Sequence, residues 1–338
     1  MEYRQCSRCV MDTTAKEITF DLEGRCNFCR SYGPKDYQRH IEKQDLPWII
    51  HQIKQEGKCL LGLSGGADSS TCLHLLLEQG IKPITFSLDN GWEDKNANEN
   101  IKKLVEKTGV QHEFIKIDVD KFRKLQEAFM KSGVPNIEIP TDHILMALTY
   151  QLAKKHKIRY IISGGNLSTE SIMPESWGYN AKDLTHIKDI AKKFGATTKG
   201  LPTISLSQYI YYRFIKKIKI INLLDYYEYK RDRAIKVLQE TYDWGDYGDK
   251  HEENPFTKWF QNYYLPVRFN IDKRKAHYSS LIVSKQMTRS EAKDKLSQPA
   301  PYDMMYYEHL GEPCSHFKYK TSKFWWDLLS NIYKLTKK

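Results

Sequence analysis

The segment Cys59-Leu-Leu-Gly-Leu-Ser-Gly-Gly-Ala-Asp-Ser-Ser-Thr-Cys72 runs an apolar strand directly into small residues, an aspartate and a helix start. Gly65, Gly66 and Ala67 let backbone N–H groups close on an anion, while Ser64, Ser69 and Ser70 add hydroxyl donors. A helix expected from Thr71 to Gln79 points its positive end at the same place. These are the parts of a phosphate cradle. No lysine follows the glycines, which excludes the G-x-x-x-x-G-K-[ST] loop, and G-x-G-x-x-G is absent as well. An ordinary strand–turn–helix corner would also use Gly and Ser as turn residues, but it would not need so many anion donors at one helix start.

Four of the seven cysteines form Cys6-x-x-Cys9 and Cys26-x-x-Cys29, with sixteen residues between the pairs. Each pair can bend through a tight knuckle, so that four thiolates reach one zinc ion and leave no open position for a catalytic water. Two disulfides would suit an oxidising compartment, and a redox C-x-x-C needs no duplicate. Cys59 and Cys72 flank the phosphate loop, where small buried hydrophobes are expected; Cys314 has no reading of its own. Asp68 and Glu170 are candidate Mg²⁺ ligands, because carboxylates approach a polyphosphate only with a metal between them. Either carboxylate would also serve as a helix-start residue.

The elements that must position these groups alternate. Strands are expected at the phosphate loop, at Pro83–Leu88, Glu113–Ile117 and Ile158–Ser163, with helices over Asn96–Thr108 and from Pro140 to Lys155. This is the pattern of an α/β, doubly wound parallel sheet, whose ligands gather at the carboxyl ends of the strands. Three such ends are polar: Ser64–Ser70, Asp89-Asn90-Gly91-Trp92, and Gly164-Gly165-Asn166 followed by Glu170. Phe86, Ser87, Leu88 and Asp89 are placed to take the adenosine. The chain divides into a zinc-ribbon segment (1–45), the sheet domain (46–197) and an aromatic-rich, basic, mainly helical region (198–338). Tyr209–Phe214 and Tyr226–Tyr229 read either as core-packing helix faces or as sugar-stacking surfaces.

The chain has 338 residues, a net charge of +11 and 40% hydrophobic residues, enough for a sizeable core. No apolar run approaches the roughly 20 residues of a membrane span. The N-terminal Met1-Glu2-Tyr3-Arg4-Gln5-Cys6 lacks a secretion-signal core, so a soluble cytoplasmic protein is expected.

The string Ser64-Gly65-Gly66-Ala67-Asp68-Ser69 resembles the pyrophosphate loop of the N-type ATP pyrophosphatases, which cleave ATP between the α and β phosphates and adenylate a carbonyl oxygen. Along nearly its whole length the chain resembles the N-acetyl sugar amidotransferase family of bacterial surface-polysaccharide and nonulosonic-acid pathways. The residues that carry this are the four N-terminal cysteines, Ser64–Ser69, Asp89–Trp92, Gly164–Glu170, Lys250-His251-Glu252, Phe256-Thr257, Asp272-Lys273-Arg274 and Met287–Ala292. The resemblance implies ATP-dependent conversion of a sugar acetamido group to an acetamidino group. Lys273 and Arg274 would neutralise charge, with Asp68 at the phosphates and His251 or Glu252 accepting a proton. It also implies ATP, Mg²⁺ and Zn²⁺, a nucleotide-linked or free N-acetyl sugar, and a separate glutaminase subunit docked with a cyclase-like barrel protein. Neither nucleic acid nor a membrane span enters this reading. A tRNA-modifying thiolase would share the phosphate loop and the cysteine ribbon, and the net charge of +11 favours it. Its chemistry needs reactive thiols, however, and only Cys59, Cys72 and Cys314 are spare.

Overall fold

The computed structural model describes residues 2–31, 45–92, 95–246, 254–302 and 318–335. Five parallel strands form one sheet: β1 (Leu60–Gly62), β2 (Ile84–Asp89), β3 (His112–Lys116), β4 (Tyr160–Ser163) and β5 (Lys219–Asn222), in the order β3-β2-β1-β4-β5. Successive strand residues point to opposite faces. Accordingly Leu60 and Ile161 enter one hydrophobic core, while their neighbours Leu61 and Ile162 enter the other.

Each face is covered by helices whose apolar residues recur at helical spacing. On one side, Leu73 and Leu76 of the helix Ala67–Glu78 and Ile101 and Leu104 of Lys95–Thr108 are buried with Ile49 and Ile53 of Leu46–Glu56. On the other, Phe122, Leu125 and Phe129 occupy i, i+3 and i+7 of Val119–Lys131 and pack with Ala147 of Ile139–Lys155. The Asp118 side chain caps the helix Val119–Lys131 by accepting from the Lys121 N–H at 3.1 Å.

The expected α/β sheet is present, with three differences of detail. The helix behind the phosphate loop starts at Ala67 instead of Thr71, which places Asp68, Ser69 and Ser70 in its first turn. The helix Val119–Lys131 was not anticipated, because its apolar residues are diluted by lysines. The sheet also takes a fifth strand from the region read as mainly helical. β5 lies on the sheet edge with Lys219 and Ile220 exposed, so lysines that argue against a central strand are tolerated there.

The N-terminal ribbon is tied down by the far end of the chain. Arg289 donates to the carbonyls of Cys6 (2.8 Å) and Cys9 (3.0 Å), and the Val10 N–H donates to Ser279 Oγ at 3.2 Å. Asp12 is fully buried and pairs with Lys275 at 2.5 Å. Burial pushes its carboxyl up, but the bonds from Lys275 and Thr14 outweigh that and hold it below the ordinary carboxylate range. Thr288 and Glu291 form a capping box at the start of the helix Arg289–Ser297, which fixes the direction of Arg289.

Gly65 has φ +77°, and a Cβ there would lie 2.2 Å from the Ala97 carbonyl oxygen. Gly65→Ala is therefore expected to destabilise the fold by more than about 2 kcal/mol, from left-handed strain plus overpacking. Urea unfolding checks this; an unchanged midpoint would show that the loop is not clamped against the helix Lys95–Thr108.

Candidate functional site

The strand order reverses between β1 and β4, the position where open parallel sheets leave a crevice. A cavity of about 1140 Å³ opens there. Ser64, Gly66, Ala67, Asp68 and Ser69 line it from the first loop, and Gly164 and Gly165 from the fourth strand end. The loop satisfies its own donors: the Ser64 N–H donates to Ser69 Oγ at 3.2 Å and the Gly66 N–H to Ser64 Oγ at 3.3 Å. A phosphate entering the crevice would take over these donors at a helix N-terminus. Behind the loop, Trp244 Nε1 (3.2 Å) and Asn100 Nδ2 (3.3 Å) both donate to the Gly65 carbonyl, and Asn100 also bonds Gly245.

Asp68 is held from two sides. Asn166 Nδ2 donates to one carboxylate oxygen at 3.2 Å, and the Tyr229 hydroxyl donates to the other. A carboxylate oxygen accepts more than one bond, which makes Asp68 a candidate cation ligand. Burial and the Asp68 charge together keep the Tyr229 hydroxyl protonated far above the ordinary range. Glu170 lines the same cavity, at the end of the short helix Leu167–Glu170.

The remaining expected residues divide. Phe86, Ser87 and Leu88 line the cavity as expected, joined by Asn90. Asp89 does not line it: its carboxylate accepts from the Gly91 N–H at 3.0 Å and lies 3.9 Å from Lys116, so it shapes the turn. Gly65 stands behind the cradle, and Ser70 is fully buried off the cavity with its hydroxyl unpartnered, so neither is a direct contact. Asn166 also stays off the cavity, acting on it through Asp68. The Tyr209–Tyr229 aromatics do not form a stacking surface in it. Tyr212 stacks on Tyr150 at 5.5 Å and is buried, and Tyr229 serves Asp68. His251 and Glu252 lie outside the described residues, as does Cys314.

Lys273 and Arg274 both reach the cavity, at the start of the helix Lys273–Val283. Arg274 is committed to Asp272 (2.8 Å) and to the Gln298 carbonyl (2.9 Å). Lys273 faces two carboxyls that the sequence reading did not single out, Glu138 and Asp142. Burial raises Glu138, opposed by Lys273 and by hydrogen bonds from Thr257 and Gln261. Asp142 is pushed up to about 7, first by the crowding of protein around it and then by the charges of Glu138 and Glu170, against Lys273. Its side chain nevertheless faces the open cavity, and water there moderates the shift. His277 and Arg231 complete the polar wall. His277 Nδ1 lies 2.9 Å from the Thr169 carbonyl, which only accepts, so Nδ1 carries the hydrogen. Glu138 and Asp142 stand four residues apart at the start of one helix, but nothing in the sequence brings them to one wall with Arg231 and His277.

The four ribbon cysteines are fully buried and unbridged. Their sulfurs all lie within 4.8 Å of one another, with Cys6–Cys29 at 3.7 Å and Cys9–Cys26 at 3.5 Å. A tetrahedron of thiolates about 2.3 Å from one ion has edges of about 3.8 Å, so the donor set fits a single tetrahedral metal. The N–H groups of Arg8, Cys9, Cys26 and Cys29 point at these sulfurs, at 3.2–3.4 Å. Cys59 and Cys72, by contrast, are buried off the cavity; burial pushes Cys59 up to about 12 and Cys72 well above the ordinary thiol range. No helix among the described residues is long and apolar enough to cross a membrane.

Comparison with known proteins matches residues 58–207 to the family of queuosine biosynthesis protein QueC and residues 253–334 to the C-terminal domain of LPS biosynthesis protein WbpG-like proteins. The chain is 30% identical over 120 residues to tRNA-specific 2-thiouridylase MnmA 2 of Fusobacterium nucleatum subsp. nucleatum. That match covers 33% of this chain and only 35% of the relative. Among solved structures, the U34-tRNA thiolase NcsA from Methanococcus maripaludis, with its [4Fe-4S] cluster, is 15% identical with a TM-score of 0.39, covering 94% of this chain and 98% of that one. The NH3-dependent NAD synthetase from Campylobacter jejuni subsp. jejuni is 18% identical with a TM-score of 0.32, over 62% and 94% of the two chains.

Two outcomes are expected from this geometry. Purified protein should carry one metal ion per chain by elemental mass spectrometry, and Cys9→Ser should lose it together with a large fall in melting temperature. Retention of full metal content by Cys9→Ser would overturn the ribbon assignment. Asp142, whose folded-state value is raised, ionises in the folded chain at a cost. Its contribution therefore makes stability fall as pH rises from the ordinary carboxylate range towards about 7. Asp142→Asn should remove that decline in melting curves recorded across this window.

Proposed function

We propose that this chain, whose residues 58–207 match the QueC family and whose residues 253–334 match the WbpG-like C-terminal domain, is a PP-loop ATP-dependent amidotransferase that converts a sugar acetamido group to an acetamidino group in bacterial surface-glycan synthesis. One observation carries the reading. The WbpG-like segment supplies a wall of the same cavity whose floor is the phosphate loop, through Asn254, Thr257, Lys273 and His277. An ATP-cleaving centre and the segment shared with LPS biosynthesis proteins thus face one volume, large enough for a nucleotide and a sugar together.

An amide carbonyl is a weak electrophile, so its oxygen attacks the α-phosphorus of ATP. Pyrophosphate leaves and an O-adenylyl imidate forms. Ammonia then adds to the imidate carbon, AMP departs, and the nitrogen sheds a proton to give the amidine. The loop N–H groups and the helix dipole stabilise charge on the departing pyrophosphate, assisted by Lys273 and Arg231. Magnesium, when bound by Asp68 and Glu170, neutralises further phosphate charge. Zinc, when bound by Cys6, Cys9, Cys26 and Cys29, holds the ribbon folded. Asp142, whose carboxyl is raised and which lines the cavity, takes the proton from nitrogen in this reading, a role that the sequence offers to His251 or Glu252 as well. Ammonia comes in this reading from a separate glutaminase subunit, docked with a cyclase-like barrel protein.

The second reading is a tRNA thiolase, favoured by the 30% identity to a 2-thiouridylase. The burial of Cys59 and Cys72 away from the cavity weighs against a thiol-relay form of it.

The test incubates the protein with ATP, Mg²⁺, ammonium and a panel of free and nucleotide-linked N-acetyl sugars, following AMP, pyrophosphate and sugar mass together. AMP release with one sugar, accompanied by exchange of its amide oxygen for NH, is expected, and Lys273→Met should lower kcat by about 10²–10³-fold. AMP release provoked by tRNA and by no sugar would overturn the proposal in favour of the thiolase.

A further inference from the structure

On the flank beyond β5, the helix Leu206–Ile210 runs without a break into a π-helical turn, Tyr211–Ile215, and then into the edge strand. Between residues 206 and 222 the chain carries Arg213, Lys216, Lys217 and Lys219 and no acidic residue. Among these cations sit exposed apolar side chains, Phe214 at 40%, Ile215 at 68% and Ile220 at 44% exposure. The cations lie on aromatic rings: Lys216 Nζ is 5.6 Å from the Tyr211 centroid, and Lys219 Nζ is 5.3 Å from that of the exposed Trp48.

A second helix, Lys323–Leu335, packs beside this segment. Trp326 meets Tyr209 at 5.2 Å, and Arg213 Nη2 donates to the Tyr333 hydroxyl at 2.8 Å. Those contacts use one side of the helix. Trp325, Leu328 and Ile332, at i, i+3 and i+7, form an exposed apolar stripe next to Phe324. The two elements together hold nine of the seventeen large hydrophobic residues found exposed among the described residues, so the apolar exposure is concentrated here.

We propose that this flank rests on the headgroup layer of an anionic membrane, with Phe214, Ile215, Trp325 and Leu328 entering the acyl boundary and Lys216, Lys217 and Lys219 meeting lipid phosphates. Interleaved cations, aromatics and aliphatics are what an interfacial surface requires. No helix among the described residues is long and apolar enough to span a bilayer, so the proposed contact is with the membrane surface. A nucleic acid would use the cations and the rings but gains nothing from Ile215, Leu328 and Ile332, which have no π face to stack. A symmetric contact between two copies would bring the four cations of residues 206–222 against the same four, and Asp327 of the neighbouring helix already lies 3.6 Å from Lys323. Ile220 also lines the cavity, so membrane attachment brings that cavity close to the lipid surface. The inference is independent of the reaction catalysed.

The full chain is sedimented with phosphatidylcholine vesicles with and without phosphatidylglycerol, at low and at raised ionic strength. Binding is expected only with the anionic lipid and should weaken with salt. Lys216→Glu/Lys217→Glu should weaken it by about tenfold or more, and Phe214→Ser/Trp325→Ser should weaken it comparably, with circular dichroism and melting temperature unchanged in both. The proposal fails if wild-type protein ignores anionic vesicles, or if neither pair alters binding. It also fails if wild-type protein binds tRNA more tightly than the vesicles and only the charge-reversal pair weakens that binding, or if it is a dimer that the apolar pair disperses.

Discussion

The Asp68 carboxylate is the point on which the architecture converges. It sits in the first turn of the helix behind the phosphate loop, accepts from Asn166 at the end of β4, and accepts from Tyr229 beyond β5. Three segments far apart in sequence are thereby fixed around one negative charge. A polyphosphate entering the cavity would meet that charge, and a cation between the two would offset the repulsion. The Gly65 carbonyl extends the same arrangement: Trp244 and Asn100 hold it from behind, which fixes the loop against the helix Lys95–Thr108.

The fold and roughly half of the site could be read from residue order. Strand–helix alternation and the glycine–serine loop depend on local chemistry, which spacing reports directly, and the ribbon cysteines announce themselves in the same way. Asp142, Glu138, Arg231 and His277 do not, because each is an ordinary polar residue at a helix start or on a helix, and only Glu138 and Asp142 share one. They become a set only when helices from the sheet domain and from the C-terminal region close on one cavity. Asp89 and Ser70 failed in the opposite sense. Their types suit a ligand, but one side chain is consumed by its own turn and the other is buried. β5 was hidden because edge position relaxes the composition a strand needs.

Several motifs that look chemical in sequence turn out to be joinery. In Met287–Ala292, Thr288 and Glu291 cap a helix, Arg289 grips the ribbon backbone, and Ala292 is buried in a small cluster with Val10. In Asp272–Lys275, Lys273 addresses the cavity while Arg274 braces Asp272 and Lys275 neutralises Asp12. A short basic run therefore distributes its charges among binding, local structure and domain assembly.

The grip of Arg289 on the ribbon joins residues 280 and 283 positions apart. Contacts of such separation are slow to form, because a long loop must close before they are rewarded. On the ribosome the cysteines emerge long before the docking surface that lies some 280 positions later. During that interval the ribbon has only its own short bridges to keep four thiolates together, and early capture of a metal ion would keep them from oxidation and mispairing until the helices arrive.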